Sequence, residues 1–179
     1  MVTLRVLANG REGNVVLPAM SYRGLPHLIR WAGLTPKYCD IDPVRHTLEP
    51  KALSETIDSK TVAVLAVDNV NAMCDVDGIE AIANRQGIPL LLDSVYGIGG
   101  RYGADICGTR GAASVFTLHA TKLINGFEGA YVTTSNDRLA SQLKAAGNFG
   151  FHEGRDAKLL GINAKLNELH AALALSNLP

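Results

Sequence analysis

The sequence has no net charge, no closely spaced pair of cysteines and no long apolar run. Each of these absences argues against a class of function. Seventeen basic and seventeen acidic residues balance, so the overall charge attracts neither nucleic acid nor an anionic membrane surface. Cys39, Cys74 and Cys107 are odd in number and widely spaced, which argues against a disulfide framework or a zinc site. No run approaches the ~18 apolar residues of a membrane span, and no signal-peptide pattern opens the chain. We therefore expect a cytoplasmic protein that binds neither nucleic acid nor membrane, with its function in a local site.

Short apolar runs alternate with helical periodicity along the 179 residues, of which 47% are hydrophobic. Nearly continuous apolar runs predict strands over 14–18, 35–41, 61–67, 88–93, 113–118 and 130–134. Helical spacing predicts helices over 23–33, 75–87, 136–147 and 163–178, and 97–103 is a glycine-rich turn region. This alternation predicts one α/β domain with a parallel or mixed sheet flanked by helices.

Two chemically useful residues follow predicted strands. Asp93 ends the run IPLLLD, and Lys122 comes shortly after ASVFTL, among small residues that permit close approach of the backbone to a ligand. Ligands of α/β sheets bind beyond the carboxyl ends of the strands. A lysine that binds an aldehyde and a carboxylate that keeps a pyridine nitrogen protonated are what a pyridoxal phosphate enzyme needs. From these residues alone, a capping aspartate and a surface lysine remain an open alternative.

Several motifs in one order carry a family resemblance. DSVYGIGGRYG (93–103) precedes VFTLHATKLINGFEGAYVTT (115–134), and GINAKLNELHAALALSNL (161–178) follows. With GNVVLPAMSY (13–22) upstream, this order resembles the DegT/DnrJ/EryC1/StrS family of sugar aminotransferases over essentially the whole chain. The resemblance implies a type I pyridoxal phosphate aminotransferase fold. It also implies an enzyme that transfers an amino group, usually from glutamate, to a nucleotide-linked keto sugar.

The resemblance implies a role for each matching residue. Lys122 is expected to bind the cofactor covalently and to move the proton at the substrate carbon, and Asp93 to partner the pyridine nitrogen. Thr117 is expected to bind the cofactor phosphate and Tyr22 to stack on its ring. Asn163 is expected to reach the phosphate in the neighbouring subunit, which implies a homodimer or larger oligomer.

Some positions depart from the family pattern. Tyr96 stands near the cofactor ring where the family usually has Gln or His, and His119 is expected to be a polar neighbour of the cofactor. Ala130 replaces the second glycine of an EGG motif, and Gly147 stands where many members carry Arg.

The resemblance also implies that residues 1–179 form a single incomplete cofactor-binding domain, with its core truncated at both ends. The upstream Gly-Thr turn that holds the cofactor phosphate and the small C-terminal domain of the family fall outside these residues. We therefore expect weak or absent binding of pyridoxal phosphate and little turnover. The alternative is a non-catalytic remnant that keeps the fold core as an association module.

Three other patterns suggest a function, but each lacks part of what that function requires. The run 97–103 is similar to a dinucleotide-binding loop, but its third glycine is displaced by one position. Ser94 or Ser114 with His119 and Asp93 suggests a hydrolase triad, but neither serine lies in a G-x-S-x-G motif. The aspartates at 68, 75 and 77 suggest a cation site, but no ligand cluster follows them, so we expect no metal.

Overall fold

Six strands form one mixed sheet at the centre of the fold in the computed structural model, which describes residues 1–152 and 156–178. In chain order the strands are β1 (Asn14–Pro18), β2 (Thr35–Cys39), β3 (Thr61–Val67), β4 (Leu90–Asp93), β5 (Arg101–Tyr102), β6 (Asp105–Ile106), β7 (Ala113–Thr117) and β8 (Ala130–Thr133). The sheet order is β2-β1-β3-β4-β7-β8, while β5 and β6 form a separate antiparallel pair. Only β8 runs antiparallel to its neighbour within the large sheet, so the predicted α/β class with a mostly parallel sheet is confirmed.

Helices cover both faces of this sheet. They are α1 (Val2–Ala8), α2 (Leu25–Trp31), α3 (Pro50–Thr56), α4 (Val76–Arg85), α5 (Asp137–Ala146) and α6 (Glu168–Ser176). Helix α4 is capped at both ends, because the Asp75 side chain accepts a hydrogen bond from the Gly78 N–H and Gly87 has a φ of 64° after the helix end. The helix predicted over 163–178 begins only at Glu168, because Asn167 caps it through the His170 N–H. None of the described helices is long and apolar enough to cross a membrane.

The core consists of two apolar layers separated by the sheet. All seven residues of β3 are buried, as expected for a central strand with both faces covered. One layer packs Leu48, Leu53 and Ile79 against the sheet, and the other includes Leu4 and Ile29. Because the central strands β1, β3 and β4 are buried on both sides, their side chains can reach solvent or a ligand mainly at the strand ends.

The carboxyl ends of β4 and β7 meet at one edge of the sheet, where Asp93 pairs in register with Val115. The chain after β7 turns back through 118–129 into β8, and backbone hydrogen bonds tie the two sides of this loop together. The Leu118 N–H donates to Gly129 O at 2.8 Å, and the Ala120 N–H donates to Phe127 O at 2.9 Å. Lys122 is therefore carried on a closed loop beside the end of Asp93's strand.

Candidate functional site

A cavity of about 490 Å³ lies at this edge of the sheet. Strand residues such as Leu91 and Val115 form its floor, and Leu4 and Leu25 from two helices form an apolar wall. Six of the seven residues singled out in the sequence line it: Tyr22, Asp93, Tyr96, Thr117, His119 and Lys122. The fold thus brings together side chains that are up to 100 positions apart in the sequence (122 − 22).

Asp93 is the buried acidic group of the cavity. Its side chain is 8% exposed, and Oδ1 makes no hydrogen bond within the described residues. Burial raises the pKa of Asp93 to about 6; the Val95 N–H and the Lys122 charge oppose the rise, and the Asp68 charge adds to it. A buried carboxylate oxygen without a partner is costly, so this atom is suited to accept a hydrogen bond from a ligand.

Lys122 provides the amine of the cavity. Its backbone N–H donates to His119 O at 2.9 Å, which closes a tight turn and directs the half-buried side chain inward. Its Nζ lies 3.8 Å from the centroid of the Tyr96 ring. The attraction between an ammonium group and an aromatic face holds the amine over this ring, within the same cavity as Asp93.

Thr117 and His119 form a hydrogen-bonded rim next to Lys122. The Thr117 hydroxyl oxygen accepts from the His119 N–H at 3.2 Å, and the hydroxyl lies 3.4 Å from Gly129 O. His119 Nδ1 accepts from the Thr121 N–H at 3.2 Å, so in this arrangement the ring proton is on Nε2, which lies 3.5 Å from Glu128 Oε1. The long Thr117–Gly129 contact leaves this hydroxyl able to donate to another acceptor.

Tyr22 and Asn163 occupy exposed positions. Tyr22 lies at the cavity wall and is 76% exposed. Asn163 is not among the cavity-lining residues and instead bridges Asn148 through the backbone. The fold therefore does not bring Asn163 to the cavity of its own chain.

The sequence reasoning missed Asp68 as part of the site's support. Asp68 is fully buried behind Asp93 and accepts hydrogen bonds from the hydroxyls of Ser94 and Tyr102. One signal could have found it, because Asp68 directly follows the apolar run 61–67 as Asp93 follows its own run. Its partners come from later in the chain and are defined only by the fold.

The weaker motifs do not assemble into sites. The Ser94 hydroxyl donates to Asp68 and the Ser114 hydroxyl to Arg110 O, so neither serine is paired with His119. The glycine-rich run 97–103 contains the short strand β5 and is not followed by a helix, because β6 comes next. Within residues 1–152 and 156–178, no cluster of three or more His, Cys, Asp or Glu could hold a metal ion.

Comparison with known proteins identifies a single family. A sequence model of the DegT/DnrJ/EryC1/StrS aminotransferase family matches residues 1–179. A pleiotropic regulatory protein of Geobacillus stearothermophilus is 27% identical over 99% of this chain and 48% of its own length. The chain spans about half the length of the relatives it matches.

Solved structures agree with this match. The crystal structure of DesI in the presence of its TDP-sugar product is 35% identical and superposes with a TM-score of 0.90, over 98% of this chain and 46% of that one. The sugar aminotransferase CalS13 from Micromonospora echinospora is 23% identical, with a TM-score of 0.92 over 98% of this chain and 52% of that one, and supports the fold alone.

Proposed function

The chain belongs to the DegT/DnrJ/EryC1/StrS aminotransferase family, and we propose that it binds pyridoxal phosphate and serves the transfer of an amino group from glutamate to a nucleotide-linked keto sugar. The observation that carries the proposal is one cavity containing both a lysine amine and a buried carboxylate oxygen without a hydrogen-bond partner.

The residues present fit this cofactor. Asp93 Oδ1 offers a buried acceptor for a protonated pyridine nitrogen, and the half-buried Lys122 offers the amine for the aldehyde. The cavity of about 490 Å³ is within the range of small-molecule sites. Its apolar floor would limit the access of water to the reacting atoms, while Thr117 supplies a hydroxyl at the rim.

Each side chain would have a defined task. Pyridoxal phosphate, when bound, supplies an electron-accepting ring that stabilises negative charge at the substrate carbon. Asp93 would keep the ring nitrogen protonated, and Lys122 would hold the aldehyde carbon and move a proton to and from the substrate carbon. Thr117 would donate its hydroxyl to the phosphate, while Tyr96 and Tyr22 would flank the ring. His119 would stay a polar neighbour that fixes the turn leading to Lys122.

The finer parts of the proposal rest on relatives. The DesI structure contains a TDP-sugar product, which supports a nucleotide sugar as substrate class for this chain as well. The exposed position of Asn163 outside its own cavity is consistent with the proposed contact to a neighbouring subunit in a homodimer. A single cofactor-binding domain and a cytoplasmic location remain parts of this proposal.

A labelling experiment tests the lysine assignment. Pyridoxal phosphate added to the protein is expected to produce a visible absorbance band, and borohydride reduction to leave a stable label on Lys122. Lys122→Ala should abolish the band because it removes the amine that binds the aldehyde. Lys165→Ala is the matched control, since Lys165 also lies over an aromatic ring, 5.3 Å from the Phe149 centroid, but outside the cavity. An unchanged band in Lys122→Ala would show that the cofactor assignment is wrong.

A further inference from the structure

A buried polar cluster lies on the face of the sheet opposite to the cavity. At its centre is Asp68, which is fully buried just after β3. Asp68 Oδ2 accepts from the Ser94 hydroxyl at 2.8 Å and from the Tyr102 hydroxyl, and Oδ1 accepts from the Cys74 N–H at 3.1 Å. The Cys107 thiol lies 3.8 Å from Oδ2. Each of these groups can donate a hydrogen bond to Asp68. Such an environment suits an ionised carboxylate, because its oxygens can only accept hydrogen bonds.

This cluster is connected directly to the Asp93 segment. The Asp68 N–H donates to Asp93 O at 2.9 Å, so the carboxyl ends of β3 and β4 are held side by side. Ser94 follows Asp93 and directs its side chain to Asp68, on the opposite side from the cavity. The Ser94 N–H donates to Val115 O at 2.9 Å, and Ser94 O accepts from the Gly97 N–H at 2.8 Å. The segment from Asp93 to Gly97 is therefore fixed through both its backbone and the Ser94 hydroxyl.

Tyr102 fixes the chain that follows the segment from Asp93 to Gly97. It lies in β5, where its ring is 8% exposed, and its hydroxyl reaches back to Asp68. Burial and the hydrogen bond to Asp68 raise the pKa of the Tyr102 hydroxyl, which keeps it a donor. A side chain at Gly97 would place its Cβ 2.4 Å from Cys107 Sγ, so the loop packs tightly on the cluster. Between these two anchors, Tyr96 projects into the cavity beneath Lys122.

Two charges act on the pKa of Asp93 from neighbouring elements. Asp68 acts from the end of β3, and Lys122 acts from the loop between β7 and β8. The Lys122 charge favours the ionised form of Asp93, and the Asp68 charge opposes it. Asp68 therefore acts on Asp93 in two ways. It holds the segment that follows Asp93 through hydrogen bonds, and its negative charge raises the pKa of Asp93.

We propose that Asp68 is a positioning residue for the cofactor site, acting through Ser94 and Tyr102 to hold the Asp93–Tyr96 turn so that the Asp93 carboxyl group faces the cavity. This inference rests on the proposed function, because the group positioned is the one proposed to bind the pyridine nitrogen. Asp68 itself touches no reacting atom.

A double-mutant cycle tests the proposal through the affinity for pyridoxal phosphate. Tyr102→Phe keeps the ring and removes one donor to Asp68, and we expect it to weaken the affinity about tenfold, as the loss of an outer-shell partner does at the lower end of the range for metal sites. In an Asp93→Asn background the same substitution should change the affinity by about twofold or less, because its effect passes through Asp93. An equal fold-change in both backgrounds would overturn the proposal.

A second readout needs no cofactor. Carboxyl ¹³C NMR of the protein alone follows the titration of Asp93, identified by its absence in Asp93→Asn. Asp68→Asn removes the charge behind Asp93, so we expect the pKa of Asp93 to move down from about 6. Glu80→Gln is the control, since Glu80 pairs with Arg110 at 2.6 Å and anchors another part of the fold. An unshifted Asp93 in Asp68→Asn, or an equal shift in Glu80→Gln, would overturn the proposal.

The two proposals fail in different ways. If the lysine assignment is wrong, Lys122→Ala keeps the absorbance band while the Asp93 titration still responds to Asp68→Asn. If the positioning role is wrong, the band depends on Lys122 but the Tyr102→Phe effect is the same with and without Asp93. Should Asp68→Asn not fold, the Tyr102→Phe cycle decides the matter.

Discussion

Asp68 and Asp93 are neighbouring buried carboxylates with opposite hydrogen-bonding conditions. Asp68 is surrounded by donors, whereas Asp93 Oδ1 has no partner within the described residues. A satisfied buried carboxylate stabilises the structure around it, while an unsatisfied one costs stability unless a ligand completes it. The difference supports the roles proposed for the two residues, which are structural support for Asp68 and ligand contact for Asp93.

The raised pKa of Asp93 makes stability depend on pH. Its folded pKa of about 6 lies above the ordinary aspartate value of 3.8, so the native state binds more protons between these values and stability falls as pH rises through them. Asp93→Asn removes the ionisable group. We therefore expect the variant to resemble the wild type near pH 4 and to be more stable at pH 7.5 by up to about 3 kcal/mol, measured by urea unfolding without cofactor.

Asp58 provides a control, because its contribution to stability should depend on pH in the opposite direction to that of Asp93. Hydrogen bonds from Lys37 at 2.7 Å and from Asn14 at 3.0 Å hold the pKa of Asp58 well below its usual range. Its stabilising contribution is present above the unfolded pKa and is lost as pH falls, so Asp58→Asn should be less stable than the wild type at neutral pH. If both variants shift stability in the same direction at pH 7.5, the assigned environment of Asp93 is wrong.

The lining residues could be selected from the sequence because they occur in contiguous motifs. Asp93 with Tyr96, and Thr117 with Lys122, lie only a few positions apart, in motifs through which the chain resembles its family. Asp68 could not be assigned its part in this way. Its partner Tyr102 is 34 positions away and lies in β5, whose position beside the end of β3 no local pattern reveals.

At the scale of elements, all six strands of the large sheet were predictable, whereas the short strands β5 and β6 were not. The prediction for β3 is confirmed over its full range because a continuous apolar run is required there. The short helix α3 was not predicted, and its seven residues bury only Leu53, so the sequence has little amphipathic periodicity. The antiparallel direction of β8 follows from the close return of the 118–129 loop, which composition does not reveal.

Helix α4 offers a test of a local signal. The Asp75 side chain accepts from the Gly78 N–H at 3.2 Å and satisfies one of the unpaired donors of the first turn. Asp75→Ala is expected to lower the free energy of unfolding by about 1 kcal/mol, whereas Asp75→Asn, which keeps an acceptor oxygen, should lower it by only a fraction of that. Urea unfolding of the two variants measures the difference. Equal losses would mean that the hydrogen bond does not contribute.

At the scale of the whole molecule, large apolar side chains remain exposed. Trp31 is 75% exposed, Leu160 71%, and Leu169 82%. Trp31 and Leu160 line one groove with Val6 from α1. Contiguous apolar surface of this kind is typical of protein–protein contact, which supports the proposed oligomer.

If the protein is the proposed homodimer, it should sediment as a species of twice the chain mass, and this mass should not change with protein concentration. Sedimentation velocity at micromolar concentration is the direct measurement, and a stable monomer would contradict the prediction. The same dimer gives Asn163 its proposed task, because Asn163 does not line the cavity of its own chain. Asn163→Ala should therefore weaken the affinity for pyridoxal phosphate without changing the sedimentation of the protein.

Mixing two defective chains tests whether Asn163 acts across subunits. Lys122→Ala lacks the amine, and Asn163→Ala lacks the contact to its partner's cofactor. In a two-fold dimer of one chain of each kind, one site retains both groups, because the Asn163→Ala chain keeps its own Lys122 and receives Asn163 from the other chain. After random exchange, we expect about a quarter of all sites to bind the cofactor with wild-type affinity. If Asn163 serves its own cavity, no mixed dimer has an intact site, and the absorbance band at low cofactor concentration should not recover.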